Sequence, residues 1–223
     1  MRESSTTASH ELKIRCFNHP QDYKQLFESM KEFTNSRDEN TPDEIWLLQH
    51  NNTLTQGQAG KAEHILTHSN IPIVHTDRGG QVTWHGPGQL IAYFLLDLNR
   101  LSWNVRTLVS FAEKMMIDLL EKYGIKAYAK PDAPGVYVDG KKIGSLGFKI
   151  RKGRSYHGFA LNINCELNAF HTINPCGYAG LEMTRIHDLI LSNKLPTIET
   201  IYEDVIAYLS DSNYFKRSQV NYL

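Results

Sequence analysis

Apolar positions along the chain switch repeatedly between helical spacing and strand alternation, the signature of an α+β or mixed α/β fold. Tyr23, Leu26, Phe27, Met30 and Phe33 keep the spacing of one amphipathic helix. Ile45 to Leu48 and Ile71 to Val74 read as short buried strands. Leu90 to Leu98 is apolar almost throughout, as a central strand would be. The longest helical stripe follows, through Val105, Leu108, Val109, Ala112, Met115, Met116, Leu119, Leu120 and Tyr123. Asn104 is placed to cap its start and Gly124 its end. A last helix runs from Ile198 through Ile201, Tyr202, Val205 and Ile206 to Leu209, just after Pro196.

Between the two long helices lies a strand-rich block. Gly135 to Val138 and Lys142 to Ile150 flank Asp139-Gly140, a type I′ hairpin signal. Alternation then continues from His157. It places Phe159, Leu161, Ile163 and Cys165 on one face, and Ala160, Asn162, Asn164 and Glu166 on the other. No internal repeat or linker-like shift interrupts the 223 residues, so one catalytic-sized domain over 13–215 is expected, after a disordered tail at 1–12.

Composition narrows the function classes. Lys+Arg and Asp+Glu both number 24, a balance without the basic footprint of a nucleic-acid binder. No apolar run approaches the length of a membrane-spanning helix, and the N-terminus lacks the apolar region of a secretory signal. Three scattered cysteines argue against a disulfide framework and point to a reducing cytoplasm. Without HExxH or CxxC, no metal site is expected.

Three segments can carry chemistry. Arg78 to Leu90 reads RGGQVTWHGPGQL, too rich in glycine and proline for a regular element across most of its length. Its plainest reading is a long turn. Its functional reading is a loop whose backbone approaches a ligand, with Arg78, Thr83 and His85 as polar contacts. It matches neither GxxxxGK[ST] nor GxGxxG. In the hairpin, uninterrupted alternation puts Lys142 on the apolar face with Gly144, Leu146, Phe148 and Ile150. There it is either a desolvated lysine or one that snorkels to water. A glycine bulge would reverse that facing. The third segment is Ile173 to Gly180, where Cys176 sits in a tight turn between Pro175 and Gly177. A thiol in a turn is more reachable than one in the core, and nearby backbone N–H groups can serve an oxyanion. Cys16 and Cys165 read as core residues. Cys176 can be activated by Lys142 or by a histidine, with His85 favoured over His157 and His171, and spacing does not choose between lysine and histidine.

RGGQVTWHGPGQL, KKIGSLGFKI, HGFALNIN and INPCGYAGLEM occur in that order, and together they resemble the octanoyl-[acyl carrier protein]:protein N-octanoyltransferases, also called lipoyl(octanoyl) transferases. The likeness spans about Trp46 to Leu191. It implies a biotin/lipoate ligase-like catalytic domain, a mixed sheet flanked by helices. It implies transfer of an octanoyl group from octanoyl-acyl carrier protein to a lysine of a lipoyl domain, without a cofactor. Acceptors in the family are lipoyl domains of 2-oxoacid dehydrogenase complexes and the glycine cleavage H protein.

By the same resemblance Cys176 is the nucleophile and Lys142 its partner. The substrate cleft is implied at Arg78, Gly79, Gly80, Gln81, Val82, Thr83, Trp84 and His85, at Ser145, Leu146 and Gly147, and at Gly158, Phe159 and Ala160. Leu146, Phe159, Tyr93 and Trp84 are the candidates for an acyl channel. Trp84 and Arg185 depart from the family pattern, which puts the pocket wall near each in question. Lys149, Arg151, Lys152 and Arg154 form the best basic run for an acidic carrier. The rivals are an ATP-dependent ligase of the same fold, a silent acyl-binding module and a Cys–His hydrolase.

Overall fold

In the computed structural model, which describes residues 10–67, 69–191 and 195–223, β1 (His10–Cys16) leads into α1 (Tyr23–Ser36) and β2 (Asp43–Leu48). Four short strands follow: β3 (Thr53–Gln56), β4 (Ile73–His75), β5 (Val82–His85) and β6 (Gln89–Leu95). Helix α2 (Val105–Lys122) precedes β7 (Tyr128–Ala129), β8 (Val136–Val138), β9 (Lys141–Arg151) and β10 (Arg154–Asn162). The chain closes with α3 (Ile186–Leu189), α4 (Ile198–Ser210) and β11 (Phe215–Tyr222).

Eight strands form one mixed sheet in the order β11-β1-β2-β6-β10-β9-β8-β7, and β4-β3-β5 form a second, smaller one. β1 pairs parallel with β2 and β11, and the large sheet is antiparallel from β2 onward. Strand alternation sorts the core into two layers. Ile45, Leu47, Leu90, Ala92 and Phe94 face α2 and α4, which supply Leu108, Ala112, Met115, Met116, Ile201 and Val205. Trp46, Leu48, Ile91, Tyr93 and Leu95 face α1, which supplies Tyr23, Leu26, Phe27 and Met30. The small sheet has its own cluster, in which Trp84 meets Phe170 and Cys165.

The local signals operate as the sequence suggests. The Asn104 side chain accepts from the Thr107 N–H at the start of α2, and Gly124 past its end has φ 74°. Asp139 and Gly140 both have positive φ, 46° and 83°, as a type I′ turn requires. The boundaries differ. His10–Leu12, expected in the tail, belong to β1, and Leu12 is fully buried; residues 1–9 of that tail lie outside the described residues. At the other end β11 carries the sheet past 215 to Tyr222, pairing along β1. Pairing with a strand at the opposite end of the chain leaves no local pattern to read.

Candidate active site

Lys142 and Cys176 meet although 34 residues separate them: the lysine Nζ lies 3.3 Å from the cysteine Sγ. The approach is built from backbone. Between β8 and β9 the register slips, pairing Val136 with Gly144 but Tyr137 with Lys142, so Ile143 is an extra residue in β9. That bulge breaks the expected alternation across Lys142. Ile143 goes into the core under α2, a methyl-sized group at Gly144 would strike Met116, and Lys142 turns into the cavity. Lys142 is only 2% exposed, so it does not snorkel. Its Nζ also donates to the Pro134 carbonyl at 2.9 Å and lies 5.5 Å from the centre of the Tyr137 ring.

The segment after the cysteine turn clamps the lysine backbone. Lys142 N–H donates to Glu182 O and Thr184 N–H donates to Lys142 O, both at 2.9 Å, a parallel bridge centred on Met183. The turn itself, Pro175–Gly177, holds Cys176 at φ 57° and Gly177 at φ 80°. A left-handed cysteine carries roughly 1–2 kcal/mol of backbone strain, the kind stored where a side chain must be aimed. The Gly177 N–H is already given to Asn174 O at 2.9 Å, so the oxyanion role expected around that residue does not fall to this donor. Asn174 N–H in turn donates to His64 O, which anchors the turn to residues 62–65.

A cavity of about 320 Å³ opens beside the pair. Arg78, Gly79, Gly80, Gln81, Thr83 and His85 line it, as do Ser145, Leu146, Gly147, Gly158, Phe159 and Ala160. Val82 and Trp84 do not, which corrects the expected contact set. They alternate to the other face of β5 and pack in the small-sheet cluster. Trp84 therefore leaves the acyl-channel candidates, while Leu146, Phe159 and Tyr93 remain on the wall. Arg185 stands clear of the wall as well, donating to Cys165 O at 2.8 Å and pairing with Asp188.

Arg78 serves the loop that carries it. Its Nη2 donates to Thr55 O, Thr55 Oγ1 and Gln81 O at 2.8, 2.8 and 2.9 Å, and its Nη1 donates to Gly79 O. Gly79 N–H reaches Phe148 O on β9, which lays the loop over the sheet. A Cβ on Gly147 would sit 2.9 Å from Gly79 O, so glycine is needed for that closeness.

Lys142, and none of His85, His157 or His171, hydrogen-bonds the Cys176 thiol among the described residues. His85 Nδ1 bonds Gln89 Oε1 at 2.8 Å and its ring stacks on Tyr23. Burial pushes its pKa down to about 3, so it is neutral. His50 bonds Tyr93 Oη at 2.6 Å, and burial takes it to about 4. His157, at φ 60° inside β10, bonds Asp77 at 3.0 Å; burial lowers its pKa although the carboxylate opposes the shift. His171 is exposed. Burial raises Cys16 to about 11 and Cys165 to about 12, which leaves neither ionised near neutrality. Among the basic run, Arg154 is committed to Asp97, while Arg151 and Lys152 are exposed.

Sequence reasoning missed Pro134 and Gly135, which form the floor under Lys142, and treated Tyr23 as core only. The Pro-Gly step before β8 was the available signal.

Comparison with known proteins gives a consistent picture. The family described as the lipoyl protein ligase A/B catalytic domain matches residues 22–210. An octanoyltransferase of Acinetobacter baylyi is 59% identical over 217 residues, 97% of this chain and 98% of that one. One of Aliivibrio fischeri is 56% identical over 83% of this chain and 81% of its own. Among solved structures, a putative lipoate protein ligase from T. acidophilum superposes with a TM-score of 0.76 at 12% identity, covering 97% of this chain and 89% of its own. A lipoate-protein ligase A bound with ATP gives 0.75 at 13%, over 96% and 89%. At such identities the structures speak for the fold, a lipoate ligase-like mixed sheet flanked by helices.

Proposed function

Because the chain belongs to the lipoyl protein ligase A/B catalytic-domain family, we propose that it is an octanoyltransferase in which Cys176 carries the acyl group and Lys142 moves the protons. The single observation that supports these roles is the 3.3 Å contact between Nζ and Sγ at the edge of a cavity. Lys142 takes the thiol proton as Sγ attacks the donor thioester carbonyl, and returns it to the departing thiol. The octanoyl group then rests on Cys176. Next the ε-amine of the acceptor lysine attacks this second thioester, and Lys142 accepts the amine proton and hands it to Sγ as Cys176 leaves as the thiol. Exchange of a thioester for an amide is downhill, so the reaction proceeds without ATP.

The donor in this reading is octanoyl-acyl carrier protein. The acceptors are lipoyl domains of 2-oxoacid dehydrogenase complexes and the glycine cleavage H protein, in the cytoplasm. No helix of the described residues is long and apolar enough to cross a membrane. The cavity residues from Arg78 to Gln81, with Thr83, His85 and the two strand triplets, form the acyl-binding wall of the one catalytic domain. Arg151 and Lys152 are the exposed cations for an acidic carrier.

Mass spectrometry after incubation with octanoyl-acyl carrier protein, without ATP, tests the reading. The expected result is one octanoyl increment on the peptide bearing Cys176, absent from Cys176→Ser. Wild-type protein that stays unmodified beside a donor of proven competence overturns it, as does strict dependence on ATP and free octanoate.

A further inference from the structure

Four buried polar side chains or backbone groups link the far wall of the cavity to the backbone of Lys142. His85 Nδ1 meets Gln89 Oε1 at 2.8 Å, Gln89 Nε2 donates to Asn162 Oδ1 at 2.8 Å, and Asn162 Nδ2 donates to Thr184 O at 2.9 Å. Thr184 N–H then donates to Lys142 O. The direction of the chain follows from its end. A backbone carbonyl only accepts, so Asn162 must turn its amide nitrogen to Thr184 and its oxygen to Gln89. Gln89 must then turn its nitrogen to Asn162 and its oxygen to His85, which makes His85 the Nδ1–H tautomer. Each amide has one orientation that satisfies both neighbours.

We propose that Asn162 is a positioning residue for the Lys142–Cys176 pair. Asn162 ends β10 directly opposite Gln89, which begins β6, and is 1% exposed. Its amide holds the carbonyl of the residue whose N–H grips Lys142. Residues 182–184 bridge no other strand than β9 in the described residues, and only at Lys142. Without the Asn162 donor, Thr184 O is an orphaned buried acceptor and the 182–184 segment loses its tie to the sheet centre. The segment links Lys142 to the cysteine turn, so its drift changes the distance between Nζ and Sγ. A shift of about 1 Å at such a pair is sufficient to cost roughly a hundredfold in rate.

The proposal deepens the reading of Cys176 and Lys142 as a working pair, and its test reads the pair without any acyl donor. Asn162→Asp keeps the shape and the acceptor for Gln89 but removes the donor to Thr184. Iodoacetamide alkylation of Cys176, followed by peptide mass spectrometry, should slow several-fold at pH 7 relative to its rate at pH 10. Octanoyl transfer should fall roughly tenfold to a hundredfold in kcat with KM nearly unchanged. A purely structural Asn162 would lower the melting temperature and leave the ratio of the two alkylation rates at its wild-type value, and that result overturns the proposal. Should Asn162→Asp fail to fold, Gln89→Met removes the donor that orients Asn162, and a wild-type alkylation ratio in that variant overturns the proposal equally. An altered ratio in a protein whose wild type transfers no octanoyl group sinks the proposed function and leaves this inference standing.

Discussion

Lys142 reaches Cys176 across a residue with no side chain. A Cβ on Gly135 would lie 2.4 Å from Lys142 Cε and 2.9 Å from Nζ, and 2.7 Å from Gly144 O. Its φ of +138° is also foreign to L side chains. Gly135→Ala should therefore push the Lys142 Nζ off the sulfur, and kcat should drop by roughly two orders of magnitude. The strained backbone adds a stability loss of about 1–3 kcal/mol. Steady-state transfer assays beside urea denaturation separate the two effects. Wild-type kcat in a folded Gly135→Ala protein would show that the lysine does not need this path. At this scale the four matched blocks named the two residues proposed to react, but not their geometry. Alternation placed Lys142 beside Gly144, and one extra residue at Ile143 undid that facing, because a bulge is set by packing rather than by any residue type. Asn162 showed only as a polar position opposite Phe159 and Leu161.

Elements with strong local periods were legible, and those made by distant partners were not. α2 announced itself through a continuous apolar stripe and a capping asparagine, and β6 through an unbroken apolar run. β3 is fully buried with the sequence TLTQ, which no hydrophobic pattern reveals, because the Arg78 loop covers it. A similar polar burial joins α1 to the large sheet. Arg37, just past the end of α1, pairs with Asp43 of β2 at 2.6 Å, both side chains wholly inaccessible, and donates to Leu95 O at the end of β6. Burial raises the Asp43 pKa, with Arg37 acting against that rise. Arg37→Met should cost about 3 kcal/mol, since it leaves the buried Asp43 carboxylate with only the Asp97 N–H and the longer 3.6 Å pair to Arg100. Adding Asp43→Leu should restore most of that loss. Urea midpoints of the two single variants and the double variant close the cycle, and a single variant within about 1 kcal/mol of wild type would remove the pair from the account of how α1 is held.

For the whole molecule, equal numbers of acidic and basic residues concealed an internal asymmetry: three histidines from distant parts of the sequence converge between α1 and the sheet. No spacing rule finds such a cluster. Burial holds His85 at about 3 and His50 at about 4 and lowers His157, against an ordinary histidine value of about 6.5. The charges around them are Asp77, Asp22, Arg78 and Lys149, with Tyr23 and Tyr93 alongside. At neutral pH the imidazoles are uncharged, so His85 and His157, which line the cavity, present no charge to the acyl chain proposed to bind there. Below about pH 6.5 the unfolded chain binds protons that the folded one refuses, so stability is whole above that pH and is lost as pH falls towards 4. Each such histidine contributes a slope of at most about 1.4 kcal/mol per pH unit in that window. Urea unfolding at pH 7.5, 6.5, 5.5 and 4.5 should show a midpoint that is level at first and then descends. His50→Gln and His85→Gln should each flatten the descent between 6.5 and 4.5, whatever they do to stability at pH 7.5. A wild-type midpoint that stays level down to pH 5 would mean that the histidines are not held neutral by burial, and that this cavity wall gains charge within the range in which the protein still folds.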